Sequence, residues 1–290
     1  MDYEGFIIRP PSEAYSLLLQ VTVGCSHNKC TFCATYRQKK FKIKPLEIIK
    51  KDLLEARGYK GVEKVFLCDG DALIIPQPRL EEILGLINEN LPNIERISTY
   101  ANAKSILRKS VDDLKKLHSM GLKMIYLGVE TGNSQLLEKI HKGVTYEQMV
   151  EAGRRVKEAG MMISVTILLG VGGIEKSVEH ALDTAKILTD LDPDYAGALT
   201  LMLIPDTPLY KEYIAGQFVM PDTFGYIKEL YLIIANANFT NCYFTSNHAS
   251  NYLPIKAFLP RQKEKILKMI SSVIEDKDSS KIRPEYLRGL

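Results

Sequence analysis

Two observations predict an α/β protein built on parallel strands. Short apolar runs alternate with segments of helical periodicity from residue 16 to residue 203, and most of the apolar runs close on a polar or glycine-rich turn. Strand, helix and strand in repetition, joined by short connections, favour right-handed crossovers and so a doubly wound sheet or a barrel. The 290 residues exceed a usual domain of roughly 100–200 residues and lie within reach of one α/β barrel of roughly 250.

Taken in order, six stretches read as buried strands: 17–23, 65–67, 94–100, 123–129, 163–169 and 195–203. Continuous apolar runs suit strands covered on both faces. Between them the apolar side chains recur every three or four residues, giving each helix one buried face. The sets are Leu46, Ile49, Leu53; Leu80, Ile83, Leu84, Ile87; Leu114, Leu117; Tyr146, Met149, Val150, Gly153; and Val178, Ala181, Leu182, Ala185, Leu188. In either architecture the ligand site lies at the C-terminal ends of the strands. Gly24-Cys25, Cys68-Asp69-Gly70-Asp71, Tyr100-Ala101-Asn102, Glu130-Thr131-Gly132-Asn133 and Gly170-Val171-Gly172-Gly173 therefore belong to one face. After Pro205 the alternation stops, and Ile266, Met269, Ile270 and Val273 mark a helical tail. The expected division is a domain over 1–210 and a helical extension or lid over 211–290.

Composition narrows the class. Hydrophobic residues at 46% and charged residues at 25% exclude disordered and fibrous chains. The longest strongly apolar stretch, 161–174, falls short of the roughly 18 residues a membrane span needs and is interrupted by glycine. Residues 1–5 lack the basic start and apolar core of a secretory leader, so a cytoplasmic, reducing location is expected. A formal charge of +3 is too small to mark a nucleic-acid binder by itself.

The informative motif is Cys25-Ser-His-Asn-Lys-Cys30-Thr-Phe-Cys33, a C-x4-C-x2-C loop just after the first strand. So short a loop fits a metal site better than paired disulfides. Structural zinc wants four ligands, usually from two C-x2-C pairs. The other two cysteines, Cys68 and Cys242, are isolated, and His27 within the same loop closes a tetrahedron awkwardly. A [4Fe–4S] cluster normally takes four thiolates, so three leave one iron open as a binding position.

This loop, the strand before it and Phe32 beside Cys33 resemble the radical S-adenosylmethionine superfamily, whose usual spacing, C-x3-C-x2-C, is one residue shorter in its first gap. The resemblance implies a partial (β/α)6 TIM-like barrel with a [4Fe–4S] cluster on Cys25, Cys30 and Cys33. It implies further that the open iron chelates S-adenosylmethionine, and that one electron cleaves this to methionine and a 5′-deoxyadenosyl radical. Asp69-Gly70-Asp71 resembles the family's Gly-Gly-Glu position, where Gly70 and Asp71 would hold the methionine ammonium; a plain strand-to-helix turn is the alternative. Gly128-Val129-Glu130-Thr131-Gly132-Asn133 is similar to the Gly-Val-Glu-Ser-Gly ending of the coproporphyrinogen-oxidase-like, Elongator-like branch, with Glu130 accepting from the ribose hydroxyls. Lys142 stands where that branch more often has an arginine for the methionine carboxylate, although lysine lacks the bidentate fork and could be a solvated side chain at a helix start. The strand over 163–170 resembles the fifth barrel strand, making Phe32 and Thr166 candidates for adenosine contacts; Phe32 could equally be core. Pro205-Asp-Thr-Pro-Leu-Tyr210 resembles the Pro-Gly-Thr-Pro-Leu-Tyr segment that closes the same barrel, so the resemblance covers 16–210.

Two further features bear on partners and substrate. Arg37, Lys39, Lys40, Lys42 and Lys44 form a run of five cations without an acid, which is either a solvated face or a surface for an acidic flavodoxin or ferredoxin that supplies the electron, or for an anionic substrate. RNA lacks the support of a stacking-aromatic pattern. In the tail, Cys242, His248, Asn251 and Tyr252 lie in a segment dense in hydrogen-bonding groups. Folded over the strand ends, they would contact substrate or donate a proton or hydrogen atom. Two cysteines far apart in sequence leave no auxiliary cluster. The expected function is a one-cluster radical S-adenosylmethionine enzyme that abstracts a hydrogen atom from a small or medium substrate. The alternative is a non-enzymatic iron–sulfur or zinc protein with a structural or electron-transfer site.

Overall fold

The computed structural model describes residues 1–277 and 279–289. They form two compact units, the first comprising Met1–Asn28, Thr35–Leu127 and Glu151–Ile163, the second Lys29–Ala34, Gly128–Val150 and the chain from Ser164 onward. The architecture is α/β, with a mostly parallel sheet.

In the first unit the elements run β1 (Leu17–Gln20), β2 (Thr22–Val23), β3 (Lys42–Ile43), α1 (Leu46–Ala56), β4 (Lys64–Cys68), α2 (Gln77–Asn90), β5 (Arg96–Ala101), α3 (Ala103–Leu107) and α4 (Val111–Ser119), with β6 (Leu122–Glu130) passing on into the second unit. β1, β4, β5 and β6 pair in parallel in that order. Asn102 caps α3, and Ser110 with Asp113 forms a capping box on α4; both place an acceptor where the first-turn amides lack one.

The expected strand over 17–23 is divided. Gln20 is the last residue in register with Cys68, and Val21 N still donates to Cys68 O at 2.9 Å. Thr22 and Val23 then pair antiparallel with Ile43 and Lys42. The cysteine loop thus leaves the main sheet on a two-stranded ribbon that fixes both of its ends.

One face of this part of the sheet carries Phe66, Cys68, Met124 and Tyr126, packed with Tyr100, Leu18, Met162 and Ile7. Phe66 and Tyr100 meet edge to face at 5.0 Å, a favoured aromatic geometry. Beside it the N-terminal segment buries Glu13 completely. Its carboxylate accepts from Arg96 Nη2 at 2.8 Å, from Tyr126 Oη at 2.6 Å and from Ser16 Oγ.

In the second unit follow α5 (Ser134–Lys139), α6 (Tyr146–Glu158) and β7 (Met162–Leu169), of which α6 and β7 also contribute residues to the first unit. Then come α7 (Ser177–Leu191), β8 (Tyr195–Thr200), α8 (Pro208–Ile214), α9 (Thr223–Asn236), β9 (Cys242–Thr245), β10 (Lys256–Leu259) and α10 (Lys263–Asp276). β7, β8 and β9 are parallel and β10 returns antiparallel. The tail expected to be helical thus adds two strands. Cys242 and Phe244 alternate with outward Tyr243 and Thr245, and Ala257 and Leu259 with Lys256 and Phe258, but four residues are too few for period two to stand out in the sequence. No helix among the described residues is long and apolar enough to cross a membrane.

The Glu13 cluster gives a direct test of the anchored N-terminal segment. Glu13→Ala leaves Arg96 and Tyr126 facing an emptied site, and removing one partner of a buried pair costs about 3 kcal/mol. Urea unfolding should show that loss at unchanged m-value; a loss below about 0.5 kcal/mol, the size of an ordinary surface substitution, would show that the segment is not held this way.

Candidate active site

Two buried carboxylates organise the strand ends of the first unit. Asp69 and Asp71, which follow β4, are both fully buried. Asp69 Oδ2 accepts from Gly24 N at 3.0 Å, Lys39 Nζ at 3.0 Å and Gln20 Nε2 at 3.3 Å, while Oδ1 has no hydrogen bond among the described residues. Asp71 Oδ2 accepts from Asn102 Nδ2 and Ser105 Oγ, both at 2.6 Å, and from Ser26 Oγ, and Oδ1 from Asn102 N at 3.3 Å. Burial pushes the Asp71 carboxyl up to about 6, against the pull of these four donors. The carboxylate expected to face a methionine ammonium is thus engaged by protein donors, and it ties Ser26, next to Cys25, to the end of β5. Ser26 and Ser105 are given no role by the sequence, whereas Asn102 stands there in one of the turns assigned to the ligand face.

Gly70 donates to Gly24 O at 3.1 Å. A Cβ on Gly70 would lie 2.6 Å from Tyr36 Cε2 and 3.0 Å from Cys25 Cβ, closer than packed atoms tolerate, so glycine is what lets the turn after β4 approach Cys25.

Cys25, Cys30 and Cys33 are half-buried and form no disulfide. Asn28, at φ +44°, turns the loop and donates to Tyr36 O at 2.7 Å. In the second unit Thr31 N donates to Ile140 O at 3.0 Å and Leu209 N to Thr31 O at 3.1 Å. Phe32 packs against the core of Ile140, Leu168, Val171, Leu201, Leu209 and Phe218. It packs on that core while keeping part of its surface exposed.

At the end of β6, Glu130 and Lys142 come together, with Nζ 2.8 Å from Oε1 and both side chains about nine-tenths buried. Two features make this possible. His141 and Gly143 take positive φ, folding Lys142 back, and a Cβ on Gly128 would lie 2.4 Å from Glu130 Oε1 and 3.0 Å from Lys142 Nζ. Glu130 itself sits at φ +66°, a strain on the order of 1–3 kcal/mol that persists only where the surroundings hold it. Thr166, half-buried on β7, stands in register with Gly197 on β8, which stands in register with Thr245 on β9; the absent side chain leaves space beside Thr166.

The tail residues divide: Asn251 reaches Thr200 at the C-terminal end of β8, and Tyr252 stacks on Tyr226 beside Gly170, whereas Cys242 lies elsewhere. Cys242 opens β9, and Tyr243 N donates to Asp194 O, just before β8. This is the end of β8 remote from its C-terminal turn, which corrects the expectation that Cys242 folds over the strand ends. Burial pushes its thiol up to about 12. His248 Nδ1 pairs with Ser250 Oγ at 2.9 Å, and Asn251 bridges Thr200 Oγ1 and Ala198 O. Tyr252 stacks on Tyr226 at 5.7 Å, with its hydroxyl on Glu285 and Arg288.

The cationic run is largely spent internally. Lys39 pairs with Asp69, Lys42 with Glu4 at 2.8 Å, and Lys44, itself fully buried, with Asp2 at 2.8 Å. Lys39, Lys40 and Lys42 nevertheless line an open cleft of about 580 Å³ with Glu4, Gly5, Val23, Gln38 and Phe41.

Parallel strands with polar turns at their C-terminal ends are the framework on which α/β enzymes carry their sites. The chain belongs to the Radical SAM superfamily, whose sequence profile matches residues 19–186, more than half of its length. Enzymes of this superfamily use a [4Fe–4S] cluster and S-adenosylmethionine, and an external reductant. The chain is similar to heme chaperone HemW of Bacillus subtilis, at 25% identity over 166 residues, which are 57% of this chain and 43% of that one. It thus spans less than half the length of that relative. In fold it is similar to methylornithine synthase, with a TM-score of 0.55 at 20% identity over 77% of this chain and 63% of the other. It is similar also to the radical S-adenosylmethionine methyltransferase TsrM of Kitasatospora setae, solved with cobalamin and a [4Fe–4S] cluster, with a TM-score of 0.57 at 19% identity over 71% and 41%.

The close approach at Gly70 yields a prediction. Gly70→Ala should fold, because Tyr36 can shift, yet it should displace Cys25 and lower the iron and sulfide retained after anaerobic reconstitution by more than half. Wild-type retention with an unchanged melting temperature would show that the turn does not set the cysteine loop.

Proposed function

We propose that this protein is a radical S-adenosylmethionine enzyme that holds one [4Fe–4S] cluster on Cys25, Cys30 and Cys33 and abstracts a hydrogen atom from a small or medium substrate. The observation that carries the proposal is the donor set: three cysteines within nine residues, none of them in a disulfide, while Cys68 and Cys242 are buried elsewhere. Three soft thiolates suit an iron–sulfur cluster with one iron left for another ligand. Among the described residues no three His, Cys, Asp or Glu side chains are already gathered as a ligand set, so the chemistry of the donors, and not preformed geometry, makes the fit. Bound there, the cluster and S-adenosylmethionine supply the one-electron cleavage that yields methionine and a 5′-deoxyadenosyl radical.

The chain's own residues bind and orient. Gly70 keeps side-chain bulk away from Cys25, and Asp71 with Ser26, Asn102 and Ser105 fixes the start of the loop. Glu130 accepts from the ribose hydroxyls and Lys142 pairs with the methionine carboxylate. Their mutual ion pair keeps two desolvated charges compensated while no ligand is bound, since an isolated buried charge is costly. Phe32 and Thr166 flank the adenosine. The cleft beside Val23 suits an acidic one-electron carrier such as a flavodoxin or ferredoxin, for which Lys40 and its neighbours offer steering charge. A non-enzymatic iron–sulfur or zinc role fits less well, because it leaves the Glu130–Lys142 pair and the matched family profile without a purpose.

Cys30→Ala tests the proposal. Reconstituted anaerobically with iron and sulfide, then given dithionite and S-adenosylmethionine, the wild-type protein should form 5′-deoxyadenosine, detected chromatographically. The variant should lose the cluster absorbance and at least nine-tenths of that product while keeping its far-ultraviolet circular dichroism. Full product from the variant, or none from the cluster-loaded wild type, would contradict it.

A further inference from the structure

The second unit buries a histidine and a glutamate that the mechanism above does not use. His180 on α7 and Glu229 on α9 are both completely buried, and His180 Nε2, which makes no hydrogen bond among the described residues, stands 3.8 Å from Glu229 Oε2. Each reaches a different strand end. On one side His180 Nδ1 meets Thr131 Oγ1 at 2.8 Å, in the turn after β6. Neighbouring residues of α7 hold the same turn: Gly132 N donates to Thr184 Oγ1 at 3.2 Å, and Asn133 Nδ2 to Asp183 Oδ2 at 2.6 Å. The approach is so close that a Cβ on Gly132 would lie 2.0 Å from Asp183 O. On the other side Glu229 Oε2 accepts from Gly170 N at 2.6 Å, in the turn after β7, and Oε1 from Ser177 Oγ at 2.7 Å. Tyr226, one turn earlier on α9, lies against the same glycine, where a Cβ would fall 2.2 Å from Tyr226 Cε1.

These contacts meet the needs of the residues assigned to the cofactor. Glu130 holds a left-handed backbone that relaxes unless its successors are anchored, and Thr131 and Gly132 are the residues that α7 anchors. Thr166 lies four residues before Gly170, on the strand whose end α9 grips. Desolvation favours neutral forms of both groups: burial lowers His180 to about 4 and raises Glu229 to about 7. This suits a buried brace better than a proton relay open to substrate.

We propose that His180 and Glu229 are positioning residues for S-adenosylmethionine, through which α7 and the C-terminal helix α9 hold the turns after β6 and β7 in one mutual arrangement. The inference rests on the reading that Glu130 and Thr166 contact that cofactor. It gives the tail a role in cofactor affinity besides packing.

The test measures S-adenosylmethionine binding to the cluster-loaded protein by equilibrium dialysis without reductant, so that no turnover intervenes. Glu229→Ala, which leaves Gly170 N without its acceptor, should weaken binding about tenfold, the worth of one hydrogen bond. Glu229→Gln, whose amide oxygen still accepts from Gly170 N, should stay within about threefold of wild type by the same measure. Should Glu229→Ala not fold, Thr184→Val keeps the side-chain shape, removes the acceptor for Gly132 N and should weaken binding in the same direction. A merely structural role lowers the melting temperature and leaves the affinity of the folded protein unmoved. Wild-type affinity in folded Glu229→Ala, or in folded Thr184→Val where the first variant does not fold, would therefore overturn the inference while sparing the functional reading. No binding by the cluster-loaded wild type would overturn both.

Discussion

A carboxylate taken out of water must find donors or lose its charge, and Asp69 and Asp71 meet this demand at the one place where the first unit has to be accurate. Between them they draw in Gly24, Lys39, Ser26, Asn102 and Ser105. The start of the cysteine loop, a lysine from its return and the end of β5 are thereby fastened to the end of β4. Gly70 is trapped between the two acids and must be small. The loop itself has neither helix nor sheet to stiffen it, so the placement of its start is inherited from these carboxylates and from the β2–β3 ribbon at its base.

The second unit solves an equivalent problem with a strained backbone. Glu130 turns through a left-handed conformation, Gly128 stays bare, and Lys142 comes back over two positive-φ residues to meet the acid. Each device costs stability locally and leaves an acid–lysine pair at the C-terminal end of a strand. Strain and partly desolvated charge are features that functional sites concentrate.

Much of this was legible before any coordinates. The parallel α/β order, the cysteine loop at the first strand end and the place of Glu130 at another strand end could be read from spacing and resemblance, because these depend on periodicity and on residues near one another in sequence. What escaped depends on distant pairings. Lys39 and Lys44 looked like a solvated or partner-seeking run, yet their partners Asp69 and Asp2 lie 30 and 42 residues away. Cys242 stood in a polar stretch, and only its register with β8 and β10 shows which end of the sheet it occupies. The break at Thr22 left no trace either, since Leu17 to Val23 is apolar throughout except for Gln20 and Thr22, the residues whose side chains meet Asp69.

The central claim is that three thiolates leave one iron for S-adenosylmethionine. Electron paramagnetic resonance of the dithionite-reduced, reconstituted protein, before and after addition of S-adenosylmethionine labelled with ¹⁵N at its amino group, tests it most directly. The account predicts the signal of a reduced [4Fe–4S] cluster, a shift of its g-values on addition, and electron–nuclear coupling to the labelled nitrogen. A cluster signal that neither shifts nor couples would show that its fourth position is already filled and would contradict the account.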